Sequence, residues 1–147
     1  MKKILLFIIT LLCITGCGST KIDLEKVKTN LNNLTYNDDK MFANTYIDST
    51  LLNDKYGFDT KNIEEFVVCM SNNVTTSSMY AIFLPKNEQA NEDITNFIKK
   101  YKAGWSMGYF PAEEKLVTDM KETKIGDYLV YIVSHDNEKV LETIKQK

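Results

Sequence analysis

Arginine is missing from this 147-residue chain, and all 18 basic residues are lysines. Without the planar fork that grips phosphate at two points, phosphoryl-transfer chemistry is disfavoured. Histidine occurs once, at position 135, so any imidazole base or metal site would rest on that single residue. Long apolar runs are also absent: the longest covers residues 4–14, well short of the roughly 20 residues that a spanning helix needs. Cysteine is scarce, with Cys13, Cys17 and Cys69. If the first two are lost to processing and modification, no intramolecular disulfide can form and the core must hold the fold.

What the chain does have begins at its start. Lys2 and Lys3, the apolar stretch 4–14 and a small-residue exit have the layout of an export signal. Ile14, Thr15, Gly16 and Cys17 then resemble the lipobox of bacterial lipoproteins, an apolar residue and two small ones before a cysteine. The resemblance implies diacylglyceryl transfer to the Cys17 sulfur and cleavage between Gly16 and Cys17. Two acyl chains give stable anchoring where one gives only marginal binding. The expected organisation is a signal over 1–16, a lipidated cysteine and short tether over 17–22, and one domain over 23–147. Beyond residue 16, sixteen lysines face twenty carboxylates, a formal charge of −4 that argues against nucleic acid as a partner.

Hydrophobic spacing predicts an α+β domain. Asp23 can cap a helix carrying Leu24, Val27, Leu31 and Leu34. A second helix is expected over about 39–52, with Met41, Phe42, Tyr46, Leu51 and Leu52 facing inward. Gly57 marks a turn, and Asp59 or Thr60 a further short helical turn. Residues 65–71 and 80–84 read as a hairpin. Ala90, Ile94, Phe97, Ile98, Tyr101 and Trp105 form the clearest helical stripe. Pro111 breaks that helix, and residues 112–117 add a short one. Residues 120–125, polar and lysine-bearing, suit an edge strand, whereas 128–133 is apolar throughout and suits the middle of a sheet. Gly126 and Asp127 fit the turn between them. Asp136 can cap a last helix with Val140, Leu141 and Ile144. The expected fold is a four-stranded, largely antiparallel sheet from two hairpins. The central and C-terminal helices should cover one face, with N-terminal helices alongside.

Five segments carry a family resemblance: YGFD at 56–59, IEEFVVCMS at 63–71, YAIFLPK at 80–86, YFP at 109–111 and IGDYLVYIVS at 125–134. In this order and spacing the chain resembles the DUF4358 domain family of small bacterial lipoproteins, mostly from Firmicutes, over about 51–147. It departs from the pattern at Ser77 and Ser78, where an acidic residue is expected. The family has no established activity, so the resemblance implies fold and location and transfers no catalytic residue.

Few residues suggest chemistry. Ser134, His135 and Asp136 include all three triad types, but consecutive residues cannot form a relay that is built from distant positions. Cys69 sits in an apolar strand and reads as core. Glu64 with Glu65, and Glu113 with Glu114, are neighbours whose side chains diverge. Asp38 and Asp39 lack a calcium-loop pattern and read as a helix start. The sequons at 33–35 and 73–75 carry little weight in a bacterial lipoprotein. The strongest candidate is the aromatic cluster of Tyr101, Trp105, Met107, Tyr109 and Phe110 at a glycine-loosened helix end, which can line a groove or meet a partner. No catalytic residue, metal or cofactor is expected. The expected protein is a membrane-anchored, non-catalytic interaction domain of the cell envelope that binds a protein or envelope component. A small-ligand-binding lipoprotein is the alternative, and an envelope hydrolase is the lesser one.

Overall fold

The strands that carry almost no polar side chains dictate the architecture. The computed structural model describes residues 20–43, 45–71 and 75–146. Cys17, Gly16 and Asn73 lie outside them. Helix α1, Leu24–Leu31, is followed by a small hairpin of β1, Thr35–Tyr36, and β2, Asp39–Lys40. Helix α2, Ser49–Tyr56, leads through a 3-10 turn at Thr60–Asn62 into β3, Ile63–Met70, and β4, Met79–Pro85. Helices α3, Glu88–Trp105, and α4, Pro111–Thr118, precede β5, Lys121–Ile125, and β6, Tyr128–Val133. Helix α5, Asn137–Lys145, ends the described chain.

The main sheet is antiparallel throughout, in the order β3-β4-β6-β5. Successive side chains on a strand point to opposite faces, and both faces here are apolar. On one face Val68, Met70, Met79, Ala81, Phe83, Tyr131 and Val133 pack with the inner sides of α2, α3 and α4. On the other, Val67, Cys69, Tyr80, Ile82, Tyr128, Val130 and Ile132 pack with α1, Phe42 and α5. The central and C-terminal helices therefore cover opposite faces rather than one. A strand that is apolar at every position, as β4 and β6 are, must be covered twice.

The capping residues read from the sequence hold: Asp23, Asp59 and Asp136 accept from Lys26, Lys61 and Lys139 amides. Gly57 ends α2 in the left-handed conformation, at φ 63°. The helix expected over 39–52 exists only from Ser49, capped by Asp48. Asn37 and Asp38 both adopt positive φ, 51° and 69°, the demand of a type I′ hairpin turn, and this turns the chain back before any helix can start. Met41, Phe42 and Leu52 are buried as expected, but Tyr46 and Leu51 are exposed. Instead of a helix, residues 45–47 run along β3, where Ile47 donates to Val68 and Met70 to Thr45 at 2.9 and 3.0 Å.

Gly126, at φ 58°, opens the β5–β6 turn, and an added Cβ there would lie 3.1 Å from Thr20 Cβ and 3.2 Å from its carbonyl oxygen. Gly104, inside α3, has nothing within 4 Å of the same position. Gly126→Ala should cost about 2 kcal/mol, from a strained φ plus the displaced Thr20. Gly104→Ala should instead add about 0.5–1 kcal/mol, the helix-propensity gain. Urea unfolding of the two variants is expected to shift the midpoint in opposite directions.

Candidate functional site

Helix α3 begins at Asn87, whose side chain accepts from Ala90, immediately after β4. It then runs back along the sheet. Its 18 residues extend about 27 Å at 1.5 Å each, whereas the seven of β4 span about 23 Å. The last turn reaches the end of the sheet, where Lys102 pairs with Glu122 of β5 at 2.5 Å and Trp105 packs against the core. Tyr101 is the final member of the buried stripe, and Trp105, one turn on, is only half-buried. Gly108, at φ 74°, then reverses the chain, and Pro111 starts α4 at a position where its missing N–H costs nothing. A cleft of about 430 Å³ lies between α3, the α2 end and the far ends of β3 and β4.

Tyr56, Met70, Tyr101, Trp105, Met107, Tyr109 and Phe110 supply its apolar walls, and Ser71, Thr76 and Ser78 supply hydroxyls. All four aromatic residues singled out from the sequence thus meet at one site. Trp105 and Phe110 pack edge to face, with centroids 6.5 Å apart. Tyr109 and Met107 stand at the rim, 78% and 68% exposed. Lys55 and Lys100 also line the cleft, from α2 and α3. Lys100 donates to the Tyr56 carbonyl at 2.6 Å, and the Lys55 ammonium lies 5.4 Å from the Tyr56 ring centre. Among the described residues no carboxylate lines the cleft and neither lysine has an ion-pair partner.

One wall is fastened through Ser77, which is buried. Its amide donates to the Glu113 carboxylate at 2.6 Å, its hydroxyl to the Glu113 carbonyl at 3.3 Å, and its own carbonyl accepts from the Tyr101 hydroxyl. Burial pushes the Tyr101 hydroxyl well above its ordinary range, helped by Tyr56 and by the Glu113 charge. It stays a protonated donor at neutral pH. A carboxylate does stand beside position 77, that of Glu113 from α4. Sequence reasoning missed this partner and the lining residues Lys55 and Tyr56 because they come from separate elements, and it missed Lys100 because that residue lies off the apolar stripe of α3.

The other candidates lie elsewhere. His135 is exposed and stacks on Tyr36, centroids 4.9 Å apart, away from the cleft. Ser134 donates to Asn137 at 3.0 Å, and Asp136 caps α5. Cys69 is fully buried in the sheet. Glu65 accepts from Tyr128 at 2.8 Å, and this hydroxyl is pushed up to about 12, mainly by burial and then by the carboxylate. Among the described residues no cluster of three metal-ligating side chains occurs, and no helix is long and apolar enough to cross a membrane.

Fold and site together define an α+β domain with an antiparallel sheet, helical layers on both faces and an aromatic cleft at one end. The chain belongs to the family described as Domain of unknown function (DUF4358), whose profile matches residues 37–134. The match starts earlier than the Leu51 expected from motifs and stops before α5. No curated protein and no solved structure matches the chain.

The Ser77 fastening has a measurable weight. Glu113→Ala removes a charged acceptor from a buried amide and should cost about 2 kcal/mol, with a red shift of Trp105 emission as the wall loosens. Glu113→Gln keeps an acceptor and should cost less than half as much. Urea unfolding followed at Trp105 measures both.

Proposed function

We propose that this protein is a non-catalytic binding domain of the bacterial cell envelope, held at the outer face of the membrane by diacylglyceryl on Cys17. Its binding site is the cleft beside Trp105, and the ligand it takes has a flat, apolar body and a negative charge. The observation that carries this reading is the lining itself. Five aromatics converge there with two lysines and, among the described residues, no carboxylate, on a chain whose overall charge is negative. A volume of about 430 Å³ falls in the range of pockets for small ligands or for one group of a larger molecule.

A docked protein partner is the second reading. The exposure of Met107 and Tyr109 at the rim favours it, since large exposed apolar side chains in one patch mark contact surfaces. A hydrolase is disfavoured by the placement of His135, which stacks on Tyr36 rather than facing the cleft.

Two dyes of the same body test the ligand chemistry. Anilinonaphthalene sulfonate should quench Trp105 by energy transfer in a saturable, one-to-one manner. Lys55→Gln with Lys100→Gln should weaken it about tenfold, or about 1.4 kcal/mol. Binding of uncharged phenylnaphthylamine should be unchanged by the double substitution. Equal loss of both dyes, or of neither, rules out charge recognition. The anchor is tested separately: the native protein should fractionate with membranes and the Cys17→Ser protein with the soluble phase.

A further inference from the structure

The chain enters the domain at the end of the sheet opposite the cleft. Thr20 lies against the β5–β6 turn, within 3.1 Å of where a Gly126 Cβ would be. Lys21 pairs with Glu65 near the start of β3, at 3.4 Å, and Ile22 is buried in the same cluster as Tyr128. The strand register sets this entry point level with Ile63 and Pro85. The cleft begins at the other end of the same strands, where Met70 is paired with Met79 and Met79 with Val133. The six steps of β4 from Pro85 to Met79 separate the two ends by about 20 Å.

The leash from Cys17 to the first described residue is short. Three virtual bonds of 3.8 Å bring Thr20 within about 11 Å of the Cys17 Cα. Given the lipid anchor on Cys17, on which this argument rests, the Gly126 end must stay near the headgroups. We propose that the cleft opens away from the bilayer, and that the anionic ligand it takes arrives from the aqueous, wall-facing side rather than from the lipid.

Trp105 is the chain's single tryptophan, so it reports the position of the cleft directly. The acylated protein, purified from membranes, is placed in phosphatidylcholine and phosphatidylglycerol vesicles carrying a nitroxide on the lipid headgroup. Flotation and the mass of the Cys17 peptide establish the anchor first, so failure of that reading is seen on its own. Trp105 emission should then lose less than a tenth of its intensity to the nitroxide lipid while remaining open to aqueous acrylamide. In a Trp105→Phe background, Lys21→Trp or Lys124→Trp should lose more than half. Quenching of Trp105 as strong as that of the near-end reporters overturns the proposal, and so does the absence of quenching at both ends in protein that floats with the vesicles.

Discussion

The central pair of strands cannot be left open on either side, and this constraint organises the molecule. Strands β4 and β6 lie side by side with apolar residues facing both ways. Each face needs a layer of its own, and burying large side chains at about 25 cal/mol per Å² is what holds the domain together. Phe83 is the hub of the first layer, with its ring within 6.4 Å of those of Phe58, Phe66, Phe97 and Tyr131. Tyr80 plays the corresponding part on the second, edge to face with Phe42 and bonded to Tyr46. Helices α1 and α5, the two beyond the family match, pack together over this second face.

The cleft lies where the same layering runs out. The last turn of α3 is held to β5 through Lys102 and Glu122, and the aromatic periodicity that builds core at Phe97 builds a half-buried wall at Trp105. The Ser77 fastening fixes the facing wall.

Much of this was legible from local signals. The caps at Asp23, Asp59 and Asp136, the left-handed Gly57, the long stripe of α3 and the contrast between polar β5 and apolar β6 each depend on neighbours within a turn or two. What failed was non-local or lay in unrecognised turn chemistry. Asp38 and Asp39 read as a helix start, although Asn37 and Asp38 also suit a type I′ turn. The two-sided cover was implicit in the all-apolar β4 and β6, yet period alone does not say which helix lies on which face. In the cleft, the aromatic cluster shared one stretch of sequence, whereas Lys55, Tyr56 and Glu113 came from α2 and α4 and were joined only by folding.

The strip of backbone from 45 to 47 that runs along β3 occupies part of one outer edge of the sheet. The opposite edge, β5, is short and presents Glu122 and Lys124 to solvent. With one border partly occupied and the other charged, two copies that meet find little backbone to pair with, so the sheet ends within the domain instead of zipping on from one molecule to the next.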